Sequence, residues 1–166
     1  MIVAATGHRP DKLGGYSATV VELTDRVAER ALTALLQGPD PVRTVISGMA
    51  LGWDQSIARA AVALKIPFIA AVPFDGQDFA WPPPSRAEYK RLLALASKKV
   101  IVSPGGYSAS KMQTRNEWMV DNAHRLLALW NGTYGGTKNC IEYAKRRNVP
   151  ITNVWNDWLR VTEPIV

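Results

Sequence analysis

Short apolar runs alternate with helix-periodic segments along almost the whole chain, and this alternation limits the possible folds more than any other feature. A strand with one wet face alternates apolar and polar residues, whereas a strand that is apolar at nearly every position needs cover on both faces. Ile2 to Ala5, Thr44 to Ser47, Phe68 to Val72, Val100 to Ser103, Leu126 to Trp130 and Ile151 to Val154 are of the second kind. Helical patterns between them supply the crossovers that parallel strands require. The expected fold class is therefore α/β, a three-layer α/β/α sandwich around a mainly parallel sheet, with residues 1–166 forming one domain.

Between the first two runs, Val20, Leu23, Val27, Ala31 and Leu35 recur at helical spacing, opposite Glu22, Arg26, Glu29 and Arg30. That helix should stop before Gly38-Pro39. Thr19 with Glu22 and Ser85 with Glu88 have capping-box spacing, so the second pair predicts a helix over Arg86 to Ala96 with Pro82, Pro83 and Pro84 outside it. Further helices are predicted over Gln55 to Leu64, Arg115 to His124 and Thr137 to Arg147. Phe74 to Pro84 reads as a stiff surface loop beside a site.

With 47% hydrophobic and 20% charged residues in 166, the composition is that of a soluble globular protein with a sizeable core. A formal charge of +6 favours phosphate-bearing partners, but the basic residues are scattered, which argues against a dedicated nucleic-acid surface without closing that option. Cys140 is the single cysteine, so no internal disulfide forms, and with His8 and His124 the only histidines no metal site is expected. No apolar run is long enough to span a bilayer, and the first residues lack the basic start and long apolar stretch of a signal peptide. A cytoplasmic location is expected, with no membrane partner. Trp155 and Trp158 are most simply core or interface residues, and exposed aromatics near them suggest a homo-oligomer, with a dimer favoured.

In open α/β sheets, ligands bind beyond the carboxyl ends of the strands. The polar motifs of this chain fall at those ends. The first strand leads into Thr6-Gly7-His8-Arg9-Pro10, the third into Pro73-Phe74-Asp75-Gly76-Gln77, and the fifth into Asn131 to Gly135-Gly136-Thr137. After the second strand, Ser47-Gly48-Met49-Ala50-Leu51-Gly52-Trp53-Asp54 joins strand to helix through a glycine-rich turn. Backbone amides there lack intrahelical partners, and glycine lets an anion approach them. Two readings of the turn fit, an anion cradle and an ordinary strand-to-helix connection with Asp54 as a first-turn acid.

Arg115, with Asn116, is a candidate bidentate clamp for phosphate at the N-terminal end of its helix, or else a surface ion pair with Glu117 or Asp121. His8 fits a ligand contact or a capped turn, and Trp81 and Tyr89 fit base stacking or packing under a loop. No Walker A, G-x-G-x-x-G, G-x-S-x-G or H-E-x-x-H pattern is present, so P-loop hydrolysis and ordinary dinucleotide binding lose support.

Taken together, these residues resemble the SLOG superfamily of Rossmann-like proteins, which includes the DNA-processing (DprA/Smf) and LOG families, and most closely its YpsA-like branch. Thr6-Gly7-His8-Arg9-Pro10 looks like the first loop of that branch, and Pro73-Phe74 through Gln77 and Trp81 looks like its third. Ser47-Gly48, Ala50, Gly52 and Asp54 match the DNA-processing pattern S-G-x-A-x-G-x-D, while Met112, Arg115, Met119 and Gly136-Thr137 resemble the arginine helix and G-T loop of LOG proteins. The resemblance implies a Rossmann-like fold and a pocket for a nucleotide or nucleotide-derived ligand; beyond such a nucleotide-type ligand, no cofactor is assigned.

The expected function is accordingly a nucleotide-binding sensor or sequestering module. Its expected binding residues are Thr6, Gly7, His8, Arg9, Ser47, Gly48, Met49, Ala50, Gly52, Asp54, Gln77, Arg115, Asn116, Gly135, Gly136 and Thr137. Phosphate is assigned to Gly48–Gly52 and Gly135–Thr137, Arg115 to the ionic clamp, and Thr6–Arg9 to sugar or base. The alternative is a LOG-like phosphoribohydrolase, which cleaves the N-glycosidic bond of nucleoside monophosphates. Arg115, Glu142 and Asp54 would then be the catalytic candidates. The position three after Thr137 is Cys140 rather than the acid of LOG enzymes, so that carboxylate is displaced or absent. A third reading is single-strand nucleic-acid binding of the DNA-processing type, weakened because Leu51 stands where those proteins commonly carry arginine.

Overall fold

All six apolar runs become strands of one sheet, and every pairing in it is parallel. The computed structural model describes residues 1–163. In chain order the elements are β1 (Ile2–Gly7), a 3-10 turn (Pro10–Lys12), α1 (Ala18–Leu36), β2 (Thr44–Ser47), α2 (Trp53–Ala63), β3 (Phe68–Val72) and α3 (Pro83–Leu95). There follow β4 (Lys98–Ile101), α4 (Ala109–Asp121), β5 (Arg125–Leu129), α5 (Gly136–Arg146), β6 (Ile151–Asn153) and α6 (Trp155–Thr162).

The strand order is β4-β3-β2-β1-β5-β6. The chain steps outward from β1 to β4, then returns to lay β5 on the other side of β1. Strand order reverses there, and the loops leaving β1 and β5 diverge to opposite faces, opening a crevice at their carboxyl ends. Period-two alternation divides the core between the faces. Val3, Ala5, Leu127 and Leu129 pack with Val27, Leu32, Trp53, Ile57, Leu92 and Trp158, on the side of α1, α2, α3 and α6. Ala4, Leu126 and Ala128 pack with Met119, Val120, Cys140, Ile141 and Ala144 from α4 and α5.

Several boundaries differ from expectation. β4 begins at Lys98 rather than Val100, because an edge strand tolerates the exposed Lys98 and Lys99 that break the apolar run. α1 is capped by Ser17, whose Oγ accepts from the Val20 amide at 3.3 Å, not by Thr19. Pro83 and Pro84 form the first turn of α3, where missing amide hydrogens cost nothing, and Ser85 does not cap it. α4 starts at Ala109, so Arg115 lies in mid-helix rather than at its end; the mostly polar Ala109–Thr114 stretch hides that first half from periodicity. α6 has no counterpart among the helices that periodicity predicts. It buries Trp158, with Trp155 packed against the core, so this pair does not offer the exposed aromatic patch on which the dimer expectation rested. No helix among the described residues is long and apolar enough to cross a membrane.

Candidate functional site

A cavity of about 220 Å³ opens at the crevice between β1 and β5. β1 delivers Thr6, Gly7, His8 and Arg9 to it, and the following turn adds Asp11 and Lys12. The β2–α2 connection supplies Ala50 and Asp54. Met112, Arg115 and Asn116 come from one face of α4 through their i, i+3 and i+4 spacing, and Tyr134, Gly135, Gly136 and Thr137 come from the start of α5.

Local packing explains the first wall. A Cβ on Gly7 would lie 2.4 Å from Cδ1 of Trp53, whose fully buried indole donates to the Leu127 carbonyl at 3.3 Å. The strand can therefore run over the tryptophan only as glycine. His8 ties the β1 exit to the β5 exit: Nε2 lies 3.0 Å from the Asn131 amide nitrogen, which donates to it, and 2.8 Å from Asn131 Oδ1. Burial lowers the His8 pKa, favouring the neutral ring that accepts this amide hydrogen.

Arg115 is 4% exposed although it lines the cavity. Nη1 donates to the carbonyls of Gly48 and Ala71, at the ends of β2 and β3, and Nε donates to Asn116 Oδ1 at 2.9 Å. Gln77 Nε2 donates to the same Gly48 carbonyl at 2.9 Å, and Tyr89 donates its hydroxyl hydrogen to Gln77 Oε1 at 3.1 Å. The guanidinium is thus pinned by backbone rather than by a surface acid. Asp121, one partner considered for it, instead pairs with Arg147 at 3.1 Å. Burial shifts the Arg115 pKa downward against the opposing pull of Asp54.

The glycine-rich turn holds an anion, but the anion is the protein's own. Asp54 Oδ2 accepts from the Ala50 amide at 3.3 Å, the Met49 amide donates to Ser47 Oγ at 3.2 Å, and the Trp53 amide donates to the His8 carbonyl at 3.2 Å. Gly52, at φ 95°, leaves only 2.5 Å between its would-be Cβ and the His8 carbonyl oxygen. Ser47, Gly48, Met49, Gly52 and Gln77 therefore stand behind the cavity wall as its support, and the phosphate cradle expected over Gly48–Gly52 is reduced to Ala50 and Asp54. Asp54, 7% exposed, has its pKa pushed up to about 6 by burial, which outweighs the nearby Arg115 and the Ala50 hydrogen bond.

The α5 end differs. Its cap is Gly135 with no side-chain capping bond, so Thr137 does not serve as a cap; Gly136 and Thr137 line the cavity, and first-turn amides have no intrahelical acceptor. Cys140 lies fully buried one turn on, its thiol pushed up to about 11 by burial. Glu142 is outside the lining and pairs with Lys138 at 3.4 Å. Asp54 is thus the buried carboxylate of this cavity.

Sequence reasoning missed Asp11, Lys12 and Tyr134 as lining residues. Lys12 Nζ crosses the crevice to Thr133 Oγ1 at 3.0 Å and the Tyr134 carbonyl at 2.9 Å, a contact spanning 122 residues that no local pattern encodes. Trp81 and Tyr89 pack edge to face at 5.3 Å, away from the cavity. A larger second cavity of about 360 Å³ lies beyond Pro10 and Gly52, among α1, α2 and α3. Leu51 faces that one. Its cation, Arg59, is already engaged by Asp25 at 3.0 Å and Ser56 at 3.2 Å, and it is off the strand tips, so the smaller crevice is the candidate site.

The chain matches the YspA SLOG family over residues 3–159. It is 37% identical over 117 residues to the SPbeta prophage-derived protein YoqJ of Bacillus subtilis (strain 168), covering 61% of this chain and 68% of that one. To the UPF0398 protein YpsA of the same organism it is 26% identical over 175 residues, covering 97% of this chain and 96% of that one. The fold is similar to DNA processing protein A of Streptococcus pneumoniae (TM-score 0.61, 16% identity, 90% of this chain). The chain spans about half of that protein's length, 48%. It is also similar to DNA processing protein A of Helicobacter pylori, a structure described for its single-stranded DNA binding mode (TM-score 0.64, 15% identity, 96% of this chain and 72% of that one).

Proposed function

This chain belongs to the YspA SLOG family, a branch of the Rossmann-like SLOG superfamily, and from that premise we propose that it binds a nucleotide or nucleotide-derived ligand in the β1/β5 crevice. The observation that carries the reading is the buried Arg115, held by strand-end carbonyls at the wall of a cavity that the first turn of α5 also lines. A backbone-pinned guanidinium beside free helix N-terminal amides suits phosphate oxygens, and Arg9 and Lys12 add charge at the rim. Thr6, His8 and Asn116 offer polar contacts to a sugar or base. The whole chain serves as one binding unit acting as a sensor or sequestering module.

Thermal shift tests this. A ligand at a hundred times its Kd adds about 2.7 kcal/mol to stability. Nucleoside monophosphates, dinucleotides, ADP-ribose-type compounds and cyclic nucleotides form the panel, and at least one should raise the Tm of the protein but not of Arg115→Ala. A folded protein that responds to none of them refutes the reading. Salt-dependent oligonucleotide binding without any mononucleotide response would favour the single-strand nucleic-acid alternative instead.

One observation favours a second reading, hydrolysis of the N-glycosidic bond of nucleoside monophosphates. Asp54 lines the cavity and titrates near 6, a range suited to general acid or base work. Free base should then accumulate with nucleoside monophosphates and cease to do so in Asp54→Asn; release that survives Arg115→Ala removes the assignment.

A further inference from the structure

Tyr134 is a large ring placed where solvent should disfavour it, on the strap between Gly132 and Gly135, and it is 84% exposed while lining the cavity. The strap itself is fixed. Thr133 donates its amide and hydroxyl hydrogens to Asn131 Oδ1 at 3.1 and 2.6 Å, and its carbonyl accepts from Trp130 Nε1 at 2.8 Å. Lys12 Nζ, arriving from the β1 side, bonds Thr133 Oγ1 and the Tyr134 carbonyl. The ring is steadied by Lys138, whose Nζ sits 4.0 Å from its centroid. Lys138 is in turn held by Glu142 at 3.4 Å.

Every polar tie of this segment thus fixes its backbone or supports the ring, while the residue as a whole stays 84% exposed and Lys138 stands over one face of the ring, leaving the other for a partner. A tyrosine offers wide, stiff contact area with few rotatable bonds, so a ring already held in place loses little entropy when a flat group lies against it. We propose that Tyr134 is a stacking platform for a planar heterocycle, a nucleobase, whose phosphate-bearing end lies at Arg115 and the α5 amides. The inference rests on the reading of the crevice as a phosphate-ligand site and adds the group that recognises the base. It moves base recognition from Thr6–Arg9 to the opposite wall, and it makes the preference one of ring area, with purines held more tightly than pyrimidines, because stacking needs only a π-face.

Two probes separate this inference from the reading beneath it: adenosine monophosphate, which carries phosphate, ribose and base, and ribose 5-phosphate, which lacks the base. Titration calorimetry on the full chain compares them in the wild type, Tyr134→Ala and Tyr134→Phe. The exposed position keeps the fold insensitive to either substitution, and a circular dichroism melt verifies it. The wild type should prefer adenosine monophosphate by about tenfold, on the scale of base–aromatic stacking. Tyr134→Ala should remove that preference without changing ribose 5-phosphate affinity, and Tyr134→Phe should retain it. An unchanged ratio in Tyr134→Ala, or equal wild-type affinities for the two probes, overturns the stacking role and leaves the phosphate site standing. No binding of either probe to the wild type overturns the inference, and the crevice reading falls with it when the wider nucleotide panel also leaves the Tm unchanged.

Discussion

Replacing Asp54 by asparagine should stabilise the protein, although it deletes a carboxylate close to a buried arginine. The carboxyl group titrates near 6 in the folded chain against an ordinary 3.8, because burial disfavours its charge more than Arg115 and the Ala50 amide favour it. A raised acid contributes fully below its unfolded pKa, and that contribution is lost as pH rises through the folded value. Above pH 6 the ionised group therefore weakens the fold by about 1.4 kcal/mol per unit over roughly two units, or about 3 kcal/mol. Asparagine keeps an oxygen for the Ala50 amide and never ionises. Urea unfolding at pH 7.5 should accordingly show a gain of about 3 kcal/mol in Asp54→Asn, equivalent to a rise in Tm on the order of 9 °C for a chain of this size. At pH 4.5 the gain should shrink to about 1 kcal/mol. A variant no more stable than the wild type at pH 7.5, or a gain that does not depend on pH, would refute the reasoning.

Two further substitutions separate packing from binding. Gly7→Ala puts a methyl group 2.4 Å from the fully buried Trp53 indole and should destabilise by about 3 kcal/mol or more, read as a lower Tm with quenched or shifted tryptophan emission; an unchanged Tm would contradict the close approach. Gly48→Ala puts its Cβ 2.6 Å from Arg115 Nη1 and 2.9 Å from Asp54 Oδ2, so it should displace the guanidinium. Nucleotide affinity measured by calorimetry should fall about tenfold or more, with a smaller loss of stability than in Gly7→Ala, and undiminished affinity would argue against Arg115 as the phosphate clamp.

How much of this was legible beforehand depended on the range of the interactions. Buried strands declare themselves locally, so β2 and β3 were delimited to the residue, while β4 was shifted because its edge position admits Lys98 and Lys99. Arg115 could be singled out by residue type, but not its setting. The helix around it begins six residues earlier than periodicity suggested, and its guanidinium points at carbonyls from two other strands.

The amino-acid sequence by itself determined the α/β class, the family and the loops from which the crevice is drawn, since apolar periodicity and glycine-containing turns act over a few residues. Only the tertiary structure decided which members of those loops face the cavity. Asp54 turns into the glycine-rich turn and takes the amide a ligand would otherwise claim, so Gly48, Met49 and Gly52 become its backing. Glu142 turns outward to Lys138, and Lys12 reaches Tyr134 across 122 residues. The physical reason is that burial and hydrogen-bond partners in a parallel sheet are assigned by strand order, and the return of the chain from β4 to β5 at the other side of β1 is a long-range choice made by the packing of both faces together.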